Sequence, residues 1–145
     1  MRIKSVFGNK ERIPEKYTCD GKNVNPPLEF VDVPKNAKSL ALIVDDPDSP
    51  SGIFSHWVLF NIPSNAKGIR EDFSAGGTEG INDFSKIGYG GMCPHKGVHR
   101  YQFKIYALDI KLNLSRGSTK EEVENAMEGH IIDMVMLIGT YSREK

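Results

Sequence analysis

Alternation of apolar and polar positions is strictest in the segment that begins at His99. There His99, Tyr101, Phe103, Ile105 and Ala107 fall on one side of an extended chain, and Arg100, Gln102 and Lys104 fall on the other. A two-residue period of this kind is the mark of a half-buried strand. Two other runs, SLALIVDD from Ser39 and HWVLFNI from His56, are apolar on both faces and predict strands covered from both sides. Shorter runs of β-branched and aromatic residues, set between Gly and Pro, complete the predicted strands: residues 3–7, 28–30, 39–44, 56–62, 101–108 and 134–141. One segment keeps a helical spacing instead. Val123, Ala126, Met127 and His130 follow Ser118-Thr119-Lys120-Glu121, which fits a capping box with Ser118 at the N-cap and Glu121 at N3, and Gly129 marks the end. A further short helical turn is expected at residues 64–69. The polar, Gly-rich stretch 70–91 reads as one long loop, of the kind that serves a function or wraps a core. The pattern as a whole is mainly β and has no internal repeat, low-complexity tract or linker, so residues 1–145 are expected to form a single domain.

Composition narrows the classes of function. Nineteen basic and nineteen acidic side chains cancel, and no dense Lys/Arg patch is present, so no nucleic-acid partner is expected. No apolar run is long enough to span a membrane, and MRIKSVFGNKERIP lacks the apolar core of a secretory signal. Stable membrane insertion is therefore not expected, and the cytoplasm is the default location. Cys19 and Cys93 make neither a disulfide framework nor a zinc pattern. The expectation for an ordinary cytosol is two free thiols, which a hyperthermophile host would reverse.

Candidate chemistry lies where the apolar stripes end. In the first of the long runs Leu40, Leu42, Val44 and Asp46 share a face; in the second His56, Val58, Phe60 and Ile62 do. The short connection between them predicts antiparallel neighbours, which brings Asp46 and His56 to one rim. His99 and Tyr101 open their strand just after GYGGMCPHKGV, and one rim could hold all of these groups. Imidazole N–H groups, a phenol O–H and the backbone N–H groups of Gly90 and Gly91 are donors suited to a small oxyanion. Asp46 and Asp48 are acceptors for an ammonium group, or could hold a histidine in one tautomer. Trp57 reads as core, Arg100 as half of a structural ion pair, and His95 and His130 as surface residues.

DPDSP followed by HW, together with GYGG…HRYQFKIYALD, resembles the two signature regions of the phosphatidylethanolamine-binding protein family, also called the Raf kinase inhibitor protein family. YTCDGKNVNPPLEF, SLALIVDDPDSPSG, HWVLFNIP and INDFSKIGYGG are similar to its compact bacterial and archaeal branch, so the resemblance runs from about Tyr17 to Tyr141. It implies a β-sandwich built on a large antiparallel sheet with a few short helices. It also implies a pocket for phosphate or phosphorylethanolamine headgroups. Carried over position by position, the ligand-binding residues are Asp46, Asp48, Pro50, His56, Gly90, Gly91, His99 and Tyr101. The chain departs from the branch at Met92 and His95, where proline is usual; a looser pocket mouth with an extra imidazole is expected there. The gate helix of mammalian members is expected to be absent, because the chain ends at Lys145 soon after the last strand.

The function these features imply is binding of a small anion or phospholipid headgroup by a non-enzymatic protein without a cofactor. Inhibition of a serine protease or modulation of a signalling protein is a further implied role, and the state is monomer or homodimer. The alternative is a metal-dependent enzyme using His56, His99 and Asp46 as ligands. No Ser, Cys or Lys nucleophile is visibly paired with a base.

Overall fold

The computed structural model describes residues 1–74 and 76–143. Nine strands and one α-helix follow in the order β1 (Arg2–Lys4), β2 (Glu11–Arg12), β3 (Leu28–Val31), β4 (Ser39–Asp46), β5 (Phe54–Pro63), β6 (Gly68–Ile69), β7 (Thr78–Glu79), β8 (His99–Leu108), α1 (Lys120–Met127) and β9 (Ile131–Tyr141), with a 3-10 turn at Glu15–Tyr17. They form two sheets. The larger has the order β2-β9-β8-β4-β5-β7 and is antiparallel except for the short β2–β9 pair; the smaller has the order β1-β3-β6. The mainly β sandwich expected from the sequence is therefore present.

Strand β4 is buried along its whole length because β5 and β8 flank it and both its faces are covered. Leu40, Leu42 and Val44 point toward the small sheet, into a core with Ile3, Phe30, Trp57, Leu59, Phe103, Ile105 and Tyr141. Ala41 and Ile43 point the other way, into a second cluster with Val58, Phe60, Tyr106, Val123 and Met127 beneath α1.

Four expectations change at this level. Val58 and Phe60 do not share the face of Ile62; they lie under α1, because β5 carries an irregularity at each end, between the pairs Leu40–Ile62 and Leu42–Leu59 and again between Val44–Trp57 and Asp45–Ser55. A bulge adds a residue and reverses the parity of all that follows. The segment at residues 64–69 is not helical; it turns and then pairs with β3, Leu28 opposite Ile69. The helix cap lies one residue later than Ser118. Thr119 accepts from the N–H of Glu122, and the Glu122 carboxylate accepts from the N–H of Thr119. Finally, Cys19 and Cys93 are bonded to each other, with their Cα atoms 5.4 Å apart. A parallel bridge between Thr18 and Met92, with the Cys19 N–H donating to the Met92 carbonyl at 3.1 Å, sets the two backbones side by side. A separation of 74 residues concealed that contact.

Candidate functional site

Strands β4, β5 and β8 reach the same edge of the large sheet, and a cavity of about 170 Å³ opens there. Asp46, Pro50, His56, His99 and Tyr101 line it, together with Phe54, Phe84 and the residues that follow Met92. Asp46 arrives at the end of the inward stripe of β4, and His99 and Tyr101 at the start of the inward stripe of β8. His56 arrives differently. It is the extra residue between the pairs Val44–Trp57 and Asp45–Ser55, so the bulge, and not the alternation of β5, carries its ring to the cavity.

Each imidazole is oriented through one nitrogen. His99 Nδ1 lies 2.6 Å from Asp46 Oδ2, in a buried pair. The other Asp46 oxygen accepts from the N–H of Asp48 at 2.7 Å. His56 Nδ1 lies 2.8 Å from the carbonyl of Gly90. A carbonyl can only accept, so Nδ1 of His56 carries the hydrogen. In both rings Nε2 is left as the second nitrogen. Burial pushes the His56 imidazole below its ordinary value, against the opposing pull of the Gly90 carbonyl and the Asp46 charge. Burial also raises the Tyr101 phenol far above its ordinary value, so it stays an O–H donor. Tyr101 sits between the two histidines, edge-on to His56 with ring centroids 5.3 Å apart and stacked on His99 at 6.3 Å.

The remainder of the wall is apolar. Phe54 and Phe84 meet edge to face at 4.8 Å, and both contact the His56 ring, at 5.0 and 5.4 Å. The pattern of residues left these two out. An aromatic at Phe84, inside the polar stretch 70–91, was the available signal.

Three residues expected at the site have other duties. Asp48 is absent from the cavity wall; its carboxylate receives the Arg100 guanidinium at 2.8 and 2.9 Å and the Arg100 backbone N–H at 2.9 Å. Arg100 holds that carboxyl at about 2. Gly90 and Gly91 do not offer free N–H groups: that of Gly90 donates to the His56 carbonyl at 2.8 Å, and that of Gly91 to Asn23 Oδ1 at 2.8 Å. Their lack of a side chain serves packing instead. A Cβ on Gly90 would collide with the Phe84 ring, and one on Gly91 with Asn23 and the Tyr17 carbonyl. Met92 is likewise not at the mouth; it is fully buried in the core, with the Tyr89 hydroxyl 3.2 Å from its sulfur. His95 is exposed, as expected, and also lines the cavity.

His56, His99 and Asp46 do not form a ligand triad, since both Asp46 oxygens are engaged by His99 and Asp48. Among the described residues no group of three or more His, Cys, Asp or Glu side chains is arranged to hold a metal ion. No helix among them is long and apolar enough to cross a membrane.

A family model described as phosphatidylethanolamine-binding protein matches residues 3–142. A UPF0098 protein of Methanothermobacter thermautotrophicus is 49% identical over 99% of this chain and 99% of its own length. One from Pyrococcus abyssi is 51% identical over 99% of this chain and 86% of its own. Among solved structures, a phosphatidylethanolamine-binding protein homologue from Chlamydia trachomatis superposes with a TM-score of 0.94 at 41% identity, covering 98% of this chain and 97% of that one. YbcL of E. coli superposes with a TM-score of 0.89 at 28% identity, covering 97% of each chain.

Proposed function

The chain belongs to the phosphatidylethanolamine-binding protein family, and from that premise we propose that its rim cavity binds a small oxyanion: inorganic phosphate, or the phosphoryl group of phosphorylethanolamine. One observation carries the reading. His56 and His99 each commit Nδ1 to the protein, to Gly90 and to Asp46, and so each has Nε2 as its second nitrogen; both rings line one cavity, with the Tyr101 ring between them. Protonated imidazoles and a phenol are charge-assisted and neutral donors to phosphoryl oxygens. Fixing both rings beforehand lowers the ordering cost of binding. The apolar wall of Phe54, Phe84 and Pro50 limits water at the site and thereby strengthens those bonds. The faces of the two phenylalanines also suit an ammonium substituent on the ligand.

Titration with phosphorylethanolamine, followed by calorimetry and by amide chemical shifts, tests this. Wild type is expected to bind. His56→Ala and His99→Ala are each expected to weaken binding by about tenfold or more, the loss of one hydrogen bond to a charged group. Neither heat nor shift changes in wild type would remove the proposal.

A further inference from the structure

Cys93 belongs both to the wall of the cavity and to the disulfide with Cys19, which lies outside that wall. Its position in the mouth segment is distinctive. Residues 93–98 form no strand or helix, and His95, Lys96 and Val98 are exposed. On the side before Cys93, the chain is tied repeatedly to residues 17–23. The Tyr89 hydroxyl donates to the Tyr17 carbonyl at 2.6 Å, the Gly91 N–H to Asn23 and the Cys19 N–H to Met92. Residues 17–23 are in turn held to the body of the protein. The Tyr17 hydroxyl donates to Glu71 at 2.8 Å, and the Tyr141 hydroxyl donates to Asp20 at 2.6 Å. The disulfide adds a covalent member to this set of ties. Beyond it the mouth segment runs to His99, where β8 begins.

We infer that the Cys19–Cys93 disulfide is a redox-controlled latch on the ligand cavity: oxidised, it holds the mouth segment against the two imidazoles, and reduced, it lets that segment swing away and weakens ligand binding. The inference rests on the oxyanion reading of the cavity. A cross-link elsewhere in the molecule would add stability without touching the site, whereas this one supplies part of the cavity wall. The segment it restrains also carries Lys96 and His95, so its release withdraws a cation and an imidazole from an anionic ligand.

The reduction is ordinary thiol–disulfide exchange with a dithiol reductant. One reductant thiolate attacks a sulfur of the pair, breaking the Cys19–Cys93 bond and forming a mixed disulfide. The second reductant thiol then displaces the protein sulfur. Two electrons pass to the protein, two protons end on the Cys19 and Cys93 sulfurs, and the reductant leaves as a cyclic disulfide. Both cysteines are only half-buried, which admits a small dithiol.

The test compares oxidised wild type, wild type reduced with dithiothreitol, and Cys19→Ser kept under the same reductant. Alkylation and mass measurement confirm two thiols in the reduced wild type. Amide hydrogen exchange is read first, without ligand. On reduction, exchange is expected to rise about tenfold at residues 92–98 while β4, whose protection falls only as far as the lost global stability requires, stays far better protected than the mouth. The dissociation constant of phosphorylethanolamine is then expected to weaken about tenfold, an ordinary coupling, and to recover on reoxidation. Cys19→Ser should match reduced wild type and ignore further reductant. Unchanged exchange at the mouth overturns the latch whether or not the ligand binds. Collapse of β4 protection to the level of the mouth segment overturns it in favour of a disulfide without which the whole fold opens. Faster exchange with an unchanged dissociation constant overturns the coupling. If oxidised protein shows the expected exchange difference yet does not bind the probe, the oxyanion reading falls and the latch stands as a motion of the mouth.

Discussion

Two adjacent aspartates show how much turns on a single position. Asp45 and Asp46 leave β4 on opposite faces. The Asp45 carboxylate is fully buried against Lys104 and Lys120, at 2.8 and 3.2 Å, which ties the first residue of α1 to the sheet. Asp46 turns inward and orients His99. Asp48, two residues on, belongs to neither arrangement and pairs with Arg100 on the outside. The expected consequences differ accordingly. Asp46→Asn should weaken phosphorylethanolamine binding by about tenfold to a hundredfold, since it removes a buried charge-assisted bond. Asp48→Ala should leave that affinity unchanged and lower stability in denaturant melts by less than about 1 kcal/mol, as for a partly exposed ion pair.

The tautomer of His56 gives a second residue-scale prediction. In the neutral ring the hydrogen is on Nδ1, facing Gly90, so Nε2 carries a lone pair and repels an oxyanion. Binding through Nε2 therefore requires a proton. Burial holds the free-protein value low, and a bound anion raises it, so complex formation takes up protons. Affinity should rise as pH falls through the ordinary imidazole value of about 6.5 and keep rising below it, toward the depressed value of the free protein. Calorimetry in buffers of different ionisation enthalpy should register proton uptake. A flat affinity profile between about pH 5 and 8 would instead assign the ligand's own P–OH as the donor to Nε2.

At the scale of elements, legibility depended on whether a segment's partners were local. Strand β8 follows its own alternation: every position of the apolar stripe from His99 to Ala107 is buried, and only at its far end are Tyr106 and Leu108 of the other face covered as well, beneath α1. Strand β5 obeys a pattern that two irregularities rewrite, and nothing local to HWVLFNI announces them. Residues 64–69 could turn helically or extend; the exposed edge of β3 decided for extension by offering Leu28 and Glu29 as partners. The helix start was ambiguous in a similar way. Ser118 and Thr119 each have a glutamate three residues on, but the Ser118 hydroxyl donates to the Ser115 carbonyl and its own carbonyl accepts from Ile81. Thr119 was left to cap. Thr119→Ala should therefore cost about 1 kcal/mol in chemical unfolding.

At the scale of the whole molecule, the disulfide is the contact that most changes the picture. It closes a loop of 74 residues that runs through the small-sheet strands β3 and β6, the core strands β4 and β5, and the Phe84 loop. Cross-linking a loop of that length restricts the unfolded chain by up to about 4 kcal/mol. Reduced protein should therefore unfold at lower denaturant concentration than oxidised protein, by an amount up to that limit and with a steeper dependence on denaturant as the unfolded chain expands. An unchanged midpoint would show that the cross-link adds nothing to global stability.

By itself the sequence determined the longer strands, though not the two-residue strands β2, β6 and β7, together with the central place of SLALIVDD, the helix after Ser118, and Asp46, His56, His99 and Tyr101 as candidate chemistry. Each of these rests on spacing or on residue type within a few positions, which is information a chain carries locally. Only the tertiary structure decided which N–H groups were already used, which face Val58 and Phe60 took, that Phe54 and Phe84 close the cavity, and that Cys19 meets Cys93. Those depend on which distant backbone arrives alongside. Hydrogen-bond donors and thiols are then satisfied by whatever the fold brings within reach, and no periodicity along the chain records that choice.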